Sequence, residues 1–196
     1  MGKVNEDCLK QIFYDARTHS KWHDKHVTDE LLQDIYNIMR LGPTSANCSP
    51  LRILFLKSEN AKERLRPHLD PGNLVKTMTA PVTALFACDM QFYENLPHLF
   101  PFADAKSWFE GKHRFIEETA FRNGSLQGAY FIIAARACGL DCGPMSGFSK
   151  EGVDKEFFPE GRFKSNFLCN LGYGDPEGLP GPRAPRLSFD EACQIF

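Results

Sequence analysis

The sequence predicts an α/β or α+β sandwich, in which helices cover a central sheet. The first observation is that apolar runs of strand length alternate along the chain with segments whose apolar residues recur at helical spacing, and such alternation is typical of layered folds. The second is the run Val82–Cys88, which lies between Pro81 and Asp89 and is apolar at nearly every position. A run of this kind favours a strand that is buried on both faces.

Helices are predicted where apolar residues recur at a spacing of three or four or where an N-capping side chain, at Thr28, Ser58, Ser149 or Ser188, marks a helix start. The predicted helices are a short one that includes Leu9, Ile12 and Phe13, one from Thr28 to Gly42-Pro43, one from Ser58 toward Pro67, one from about Lys112 to Cys138, one from Ser149 through Phe158, and a last short one with a Ser188–Glu191 capping box. The helix from about Lys112 to Cys138 is expected to be central to the core. Its expected apolar face consists of Phe115, Ile116, Thr119, Leu126, Tyr130, Ile133 and Ala137.

Three strands and two irregular segments complete the prediction. The strands are Leu51–Lys57, Val82–Cys88 and Asn166–Leu171. Between residues 172 and 185, eight of fourteen residues are Gly or Pro, which is typical of an irregular arm. The aromatic, proline-bearing stretch Asn95–Asp104 is interpreted either as a lid or substrate wall or as an ordinary packed loop. We therefore expect one domain, residues 1–196, with residues 172–196 as a C-terminal arm.

The bulk composition excludes several classes of function. Hydrophobic residues make up 42% of the chain, enough for a sizeable core. The net charge of −2 and the pI near 6.3 indicate neither a nucleic-acid-binding surface nor a polybasic membrane patch. The longest apolar runs are too short to span a bilayer, and the first residues lack the apolar core of a signal peptide. We therefore expect a cytoplasmic protein without nucleic-acid or membrane partners.

Seven cysteines are scattered along the chain without a Cys-x-x-Cys pair. Their odd number and apolar surroundings favour reduced, mostly buried thiols over a disulfide framework or a zinc site. His19, His23 and His26 form the one metal-like cluster, but no second group of ligands is obvious, so we predict no metal. If these histidines did bind zinc, a metal-dependent hydrolase would become the alternative enzyme class.

The sequence lacks the local motifs of the common nucleotide and hydrolase sites. Gly172 and Gly174 follow a predicted strand, but the third glycine is misplaced and prolines follow, which disfavours a dinucleotide-binding Rossmann turn. No Gly-x-x-x-x-Gly-Lys-Ser/Thr loop is present. Pro144 stands where a Gly-x-Ser-x-Gly nucleophile elbow around Ser146 would need glycine. No single loop therefore accounts for a phosphate site or a nucleophile.

Polar clusters that would suit a flat, anionic ligand are instead spread along the chain. They are Arg17-Thr18-His19-Ser20-Lys21, Pro43-Thr44-Ser45-Ala46-Asn47, Asn73 with Lys76, Pro144-Met145-Ser146-Gly147, and Arg183 with Arg186. Arginine side chains and backbone N–H groups bind phosphate, and turns of small residues let the backbone approach a flat ring closely. Each cluster alone is equally typical of a solvated surface. Their combination and order indicate a site for a large anionic cofactor.

The order and spacing of these clusters resemble those of the FMN-dependent nitroreductase family, from about Leu9 to the end of the chain. The resemblance implies an α+β fold with a mostly antiparallel central sheet flanked by helices, and a homodimer with FMN at the interface. The implied ligands of the FMN phosphate and ribityl chain are Arg17, Thr18, His19, Lys21, Arg183 and Arg186. Those of the pyrimidine edge are Asn73 and Lys76, and the backbone of the turn Pro144, Met145, Ser146 and Gly147 is implied to face N5 and O4. The second subunit is implied to contribute Pro43, Thr44, Ser45 and Asn47.

Two positions depart from the family pattern. Many relatives carry an acidic residue where Ser146 stands and a lysine where Gly181 stands. Phosphate binding would therefore depend more on Arg17, Arg183 and Arg186. The segments that look closer to the malonic semialdehyde reductase-like subgroup are Ala16–His19, Gly42–Asn47 and Cys142–Phe148.

The activity that the resemblance implies is a ping-pong transfer of electrons from NADH or NADPH, through N5 of FMN, to a small organic acceptor. The acceptors considered are malonic semialdehyde, which would become 3-hydroxypropionate, nitroaromatics and quinones. No catalytic side chain is predicted, because the flavin carries the chemistry and solvent can supply the proton. Phe102, Trp108 and Phe109 are candidates for the wall of the acceptor pocket, with ordinary packing as an equal alternative. A second hypothesis is a non-catalytic flavin-binding sensor or carrier protein.

Overall fold

The computed structural model describes residues 2–196 and contains a four-stranded antiparallel sheet covered by helices. The strands are β1 (Leu51–Leu56), β2 (Val82–Asp89), β3 (Asp141–Met145) and β4 (Phe163–Gly172), in the spatial order β1-β2-β4-β3. The α-helices are α1 (Glu6–Leu9), α2 (Asp29–Met39), α3 (Glu59–Leu65), α4 (Pro71–Met78), α5 (Leu96–Leu99), α6 (His113–Ala137), α7 (Lys150–Phe157) and α8 (Phe189–Ala192). The predicted α+β fold with an antiparallel sheet is confirmed.

Two apolar clusters cover the two faces of the sheet, and β2 lies between them. Every residue of β2 is buried, as its apolar run predicts. Alternate side chains of a strand point to opposite faces. Accordingly, Ala84 and Phe86 pack with α2 and α6, whereas Leu85 and Ala87 pack with α3 and α7. The result is three layers, with helices on both sides of the sheet.

The helix caps and limits follow the sequence closely. Thr28, Ser58, Ser149 and Ser188 each accept a hydrogen bond from the backbone N–H three residues later. Ser188 and Glu191 also form the predicted capping box. Strand β1 and the long helix α6 begin and end within one residue of their predicted limits. Local capping chemistry and apolar spacing therefore account for most of the elements.

The buried face of α6 differs from the predicted face. Phe115 and Leu126, which are expected in the core, are 44% and 40% exposed. Asn123 and Gln127 are buried instead, because their side-chain oxygens accept hydrogen bonds of 2.8 and 2.9 Å from backbone N–H groups in the segment leading into β1. Buried backbone groups require partners, and this requirement places two amides where apolar residues are expected.

The sequence pattern does not predict α4, α5 or β3, and the short helix α5 lies within the stretch Asn95–Asp104 that is predicted as a loop. Strand β3 contains Gly143-Pro144, which is typical of a turn. Proline is tolerated there because β3 lies at the edge of the sheet. Helix α4 has Pro71 in its first turn, where a missing N–H costs nothing. Strand β4 also begins at Phe163, three residues before its predicted start.

The chain after β4 forms the expected arm. It contains a short 3-10 turn at Pro176–Gly178 and the helix α8, and otherwise has no regular structure. From Gly181 onward every residue is exposed, including apolar Leu187, Phe189 and Ile195. Within this chain, the arm therefore leaves its apolar side chains uncovered.

Candidate functional site

The first polar cluster lies beside the edge strand β3. The backbone N–H of His19 donates to the carbonyl oxygen of Cys142 at 3.2 Å, and Thr18 forms a parallel bridge with Cys142. The approach is so close that a Cβ atom on Gly143 would lie 2.6 Å from the carbonyl oxygen of His19. Glycine is therefore required at position 143, and the segment that contains Arg17 is fixed against this strand.

The third and fourth clusters meet at the end of β3. The side-chain amide of Asn73 donates to the carbonyl oxygen of Gly147 at 2.7 Å, and the backbone N–H of Asp70 donates to the same oxygen at 3.1 Å. A Cβ atom on Gly147 would lie 2.5 Å from Asn73 Nδ2. Helix α4 and the turn after β3 can therefore touch only because residue 147 is glycine.

The turn at residues 144–147 contributes mainly its backbone. Pro144 pairs with Cys169 in the sheet, and Met145 is buried with its sulfur 3.5 Å from the hydroxyl of Thr77. Ser146 is exposed. The side chains of Pro144 and Met145 are thus engaged with the protein, so a ligand at this turn would meet backbone groups and the Ser146 side chain.

Lys76 lies on α4 three residues after Asn73, a spacing that places both side chains on one helix face. The carbonyl oxygen of Lys76 accepts hydrogen bonds from Trp22 Nε1 at 3.0 Å and from Asn170 Nδ2 at 3.1 Å. These bonds fix the end of α4 to β4 and to the segment after the first cluster. Within residues 2–196 the ammonium group of Lys76 forms no ion pair. Its positive charge is available to a ligand.

A cavity of about 530 Å³ joins the first cluster to the C-terminal arm. Four arginines line it, Arg17, Arg136, Arg183 and Arg186, together with Thr18, and no acidic residue does. None of the four forms an ion pair with a carboxylate of the described chain. Charges of one sign gathered in a cleft attract the opposite ion. This arginine cavity can therefore bind an anion.

Arg17 and Arg183 also hold the arm against the N-terminal segment. Arg17 Nη2 donates to the carbonyl oxygen of Gly181 at 2.7 Å, and Arg183 Nη2 donates to those of Tyr14 and Ala16 at 2.8 and 2.6 Å. Each guanidinium group uses one terminal nitrogen in these contacts. The other two nitrogens have no partner within residues 2–196, so both arginines keep donors for an anion.

The side chain of His19 does not line the arginine cavity. Its ring is buried against Gly174, and Nε2 lies 3.5 Å from an oxygen of Asp141. Across residues 2–196, no group of three His, Cys, Asp or Glu side chains is arranged to hold a metal ion. His19 is not among the residues that line the cavity, and its contact with a cofactor stays a prediction.

Lys21 is already paired within the chain. Its ammonium group lies 2.7 Å from Glu177 and 2.9 Å from Asp175. The hydrogen bonds to Glu177 and Asp175 raise the pKa of Lys21 above its ordinary value. Lys21 therefore ties the first cluster to the start of the arm, and its predicted contact with a phosphate would have to compete with two carboxylates.

The second cluster forms a strained turn. The backbone angles φ of Ala46, Asn47 and Ser49 are 48°, 53° and 39°. Non-glycine residues in this left-handed region cost about 1 kcal/mol or more each. The turn is held by the buried side chain of Asn123, whose oxygen accepts a hydrogen bond from the backbone N–H of Ser45 at 2.8 Å. Strain that surrounding contacts maintain in this way is common at ligand-binding sites.

This strained turn does not join the other clusters within one chain. The hydroxyl of Tyr130 donates to the carbonyl oxygen of Pro43 at 3.0 Å, and the side-chain amide of Asn47 donates to that of Leu99 at 2.9 Å. Among the described residues, no hydrogen bond links the turn to the other four clusters. One chain thus gathers four of the five clusters along β3 and the arm, and it leaves the second cluster, the strained turn, against α6.

Two residues at this site carry no signal in the sequence motifs. Arg136 ends the apolar helix α6, where a single arginine looks like a solvated helix terminus. Asn123 lies in the middle of the same helix. A polar amide within an otherwise apolar stripe is the one signal that could have identified Asn123, because such a residue needs a buried partner.

Comparison with known proteins agrees with this geometry. Residues 15–173 match the nitroreductase family. A protein of Polynucleobacter asymbioticus, provisionally named NADH dehydrogenase/NAD(P)H nitroreductase, is 60% identical over 193 residues, which cover 98% of each chain.

Two solved structures, each provisionally described as a nitroreductase, have the same fold. One, from Bacillus subtilis, has a TM-score of 0.86 at 21% identity and covers 98% of this chain and 100% of its own. The other, from Exiguobacterium sibiricum in complex with FMN, has a TM-score of 0.84 at 19% identity and covers 100% of both chains. The match of sequence and of fold leads to one conclusion: the chain belongs to the nitroreductase family.

Proposed function

We propose that this protein is an FMN-dependent NAD(P)H oxidoreductase that reduces a small organic acceptor. The observation that carries the proposal is the arginine cavity and its position beside β3. The cavity lies where Thr18 meets Cys142, and the contact between Asn73 and Gly147 lies five residues further along the chain. Five residues of fully extended chain span at most about 17 Å, and β3 is extended as far as Met145. The arginine cavity suits a phosphate, and the backbone-lined turn at Gly147 suits a flat ring. A ligand in which an extended chain joins the two would fill both ends.

The residues fit FMN in charge and in shape. Arg17, Arg183 and Arg186 would hold the phosphate, with Thr18 beside the ribityl chain. Arginine is suited to this role because its planar fork matches two phosphate oxygens at once. The relative from Polynucleobacter is named for NAD(P)H, and one structural neighbour contains FMN, which supports the same pair of cofactors here.

The ring end would be held by α4 and the turn after β3. Lys76 and Asn73 would face the pyrimidine edge, and the backbone of Ser146 and Gly147 would face N5 and O4. When bound, FMN supplies the hydride chemistry between the nicotinamide and the acceptor. The role of Lys76 is electrostatic, because a fixed cation stabilises negative charge that develops on the reduced ring. No side chain is assigned as an acid or base.

A homodimer would complete the site. The strained turn at Pro43, Thr44, Ser45 and Asn47 lies away from the other clusters of its own chain, so we propose that it packs on the flavin of a second subunit. Uncovered apolar side chains support such an interface. They occur on α2 and its C-terminal end, on α6 and on the arm, namely Tyr36, Ile38, Leu41, Phe115, Phe121, Leu126, Leu187, Phe189 and Ile195.

We also propose a cytoplasmic setting without a membrane partner. All seven cysteines are unpaired, which suits a reducing compartment. Among residues 2–196, no helix combines the length and the apolar character needed to cross a bilayer. The acceptor candidates remain malonic semialdehyde, nitroaromatics and quinones, and the resemblance of three segments to the malonic semialdehyde reductase-like subgroup favours testing the aldehyde first.

The test is the visible spectrum of the purified protein before and after anaerobic addition of NADH or NADPH. We expect flavin absorption bands that bleach, and the faster donor identifies the nicotinamide preference. Steady-state turnover of the three acceptors then identifies the substrate class. Flavin bands that persist with both donors, or turnover no faster than that of FMN in solution, would support the non-catalytic flavin-binding protein. A protein that neither contains nor binds FMN would disprove the proposal.

A further inference from the structure

Arg136 occupies the last turn of α6 and lines the arginine cavity. One terminal nitrogen, Nη1, donates to the carbonyl oxygen of Ile12 at 3.1 Å. The Nε atom is shielded from solvent and has no hydrogen-bond partner, and Nη2 also has none within residues 2–196. The guanidinium group is therefore fixed at Nη1, unsatisfied at the buried Nε and open to solvent or a ligand at Nη2.

The nitrogens Nε and Nη2 of Arg136 form one edge of its planar guanidinium group. This edge presents two parallel N–H donors, which is the arrangement that binds two oxygens of a phosphate or carboxylate. A buried donor without an acceptor is uncommon in folded proteins and calls for an explanation. No acidic side chain lines the cavity, so no carboxylate of the cavity wall supplies the missing acceptor.

Arg136 also differs from the other cavity arginines in how it is held. Arg183 and Arg186 belong to the exposed arm, and Arg17 lies in an irregular segment. Arg136 belongs to a 25-residue helix that packs across the sheet. A binding group on a rigid element loses less conformational entropy when its ligand binds. Among the four arginines, Arg136 is the one whose backbone is held by regular secondary structure in the absence of a ligand.

We propose that Arg136 is a direct ligand of the cofactor's phosphate and that it sets the preference for FMN over unphosphorylated riboflavin. This inference rests on the proposed function, since it takes FMN as the occupant of the cavity. A phosphate monoester carries about −1.5 to −2 charges at pH 7. The bidentate edge of Arg136 would meet this charge at the part of the cavity wall that α6 contributes.

The experiment compares FMN with riboflavin, which differs from FMN by the phosphate alone. The full-length apoprotein is titrated with each flavin, and dissociation constants are measured by quenching of flavin fluorescence. The variants are Arg136→Gln, which removes the charge but keeps an amide donor, and Arg136→Lys, which keeps the charge but removes the fork. The matched control is Arg122→Gln, an exposed arginine on the same helix that has no ion-pair partner in the described chain.

We expect Arg136→Gln to raise the dissociation constant for FMN about 10- to 100-fold, the range for a charge-assisted hydrogen-bond pair. The constant for riboflavin should change less than twofold. Arg136→Lys should fall between the wild type and Arg136→Gln for FMN, because a point charge replaces a fork. Arg122→Gln should leave both constants unchanged.

The ratio of the two dissociation constants separates binding from folding. A loss of structure around the Ile12 contact would weaken both flavins by the same factor, so an unchanged ratio in Arg136→Gln overturns the proposal. Unchanged FMN affinity in that variant overturns it as well, while leaving the proposed function intact. If the wild-type protein binds neither flavin, the proposed function fails and the role of Arg136 fails with it.

Discussion

Two groups of arginines in this protein differ in whether a carboxylate lies among them. Arg52 and Arg162 converge on Asp89, whose carboxylate is fully buried and accepts hydrogen bonds of 2.8 to 2.9 Å from both guanidinium groups. The arginine cavity has four guanidinium groups and no acidic residue in its wall. The first group has its counter-charge once the chain folds, whereas the wall of the second supplies no carboxylate.

The difference shows how a structural cation can be told from a ligand-binding one. Asp89 ends β2, Arg52 lies at the start of β1, and Arg162 directly precedes β4. This ion-pair cluster therefore joins three segments at one end of the sheet. The cavity arginines join the arm to the N-terminal segment only through backbone carbonyls. Residue type is the same in both places. An arginine to which the fold supplies a carboxylate has a structural role, and an arginine without one can bind an anionic ligand.

The largest effect is expected from Asp89→Asn. The change leaves two guanidinium groups beside an uncharged amide in a buried position, and breaking a buried ion pair costs 3–5 kcal/mol. Because both arginine side chains are 35% exposed and can be partly rehydrated, we expect the free energy of unfolding to fall by about 3 kcal/mol. Urea unfolding measures it. The control Asp104→Asn, at an exposed carboxylate, should change stability by less than about 0.5 kcal/mol.

The double variant Arg17→Ala/Arg183→Ala should have the opposite profile. We expect the FMN dissociation constant to rise about 100-fold or more, because two charge-assisted contacts to the phosphate are lost. Stability without flavin should fall less than in Asp89→Asn, since Arg17 is only half-buried, Arg183 is exposed and both contact backbone carbonyls rather than a buried carboxylate. Flavin titration and urea unfolding of the same preparation measure both quantities. Full FMN affinity in a folded double variant would show that the phosphate lies elsewhere.

Lys62 provides a third case, a buried cation with neither a carboxylate nor a cavity. Its ammonium group donates to the carbonyl oxygens of Thr77 and Ala80, and burial lowers the pKa of Lys62 from 10.5 to about 8. Between these values the unfolded chain holds a proton that the folded chain has released, so stability rises with pH.

Relative to Lys62→Met, the wild-type protein should therefore gain about 2.5 kcal/mol of stability between pH 8 and pH 10.5, a value below the full pKa difference because Lys62 is half-titrated at each end of this range. Urea unfolding at several pH values gives this difference curve, in which the titration of the cysteines cancels. A flat curve would mean that Lys62 titrates near its ordinary pKa.

The smallest expected effect is that of salt. Raising KCl from 50 to 500 mM should weaken FMN binding about fivefold, because the cavity is open to solvent and its charges are screened. The contribution of the Asp89 cluster, measured as the stability difference between the wild type and Asp89→Asn, should change by less than about 0.5 kcal/mol, since buried pairs are screened much less. Equal salt sensitivity in the two measurements would contradict the distinction drawn between the two groups.

Much of the fold could be predicted from the sequence because its signals are local. The caps at Thr28, Ser58, Ser149 and Ser188 and the apolar run of β2 act within a few residues, and each predicted element is present. Strand β3 could not be predicted, because Gly143-Pro144 becomes extended only when β4 and the segment around Thr18 pair on either side of it.

The candidate site was predicted only in part, because residue types are local information whereas contacts between distant segments are not. The sequence indicates which residue types would suit a flavin, and the structure places Arg17, Arg183 and Arg186 around one cavity. The sequence does not indicate that Lys21 is neutralised by two carboxylates of the arm. It also does not indicate that Arg136 reaches the same cavity from the end of α6.

The sequence by itself therefore determined the elements, the layered α+β class and the set of polar clusters that resembles the nitroreductase family. Only the tertiary structure decided which cations lie together and which of them already have a counter-charge. The physical reason is range: capping and apolar periodicity depend on neighbours within one turn or strand. The gathering of arginines at the cavity depends on segments more than a hundred residues apart along the chain that meet only after folding. The ion pairs at Asp89 likewise depend on residues in or next to separate strands that the sheet brings together.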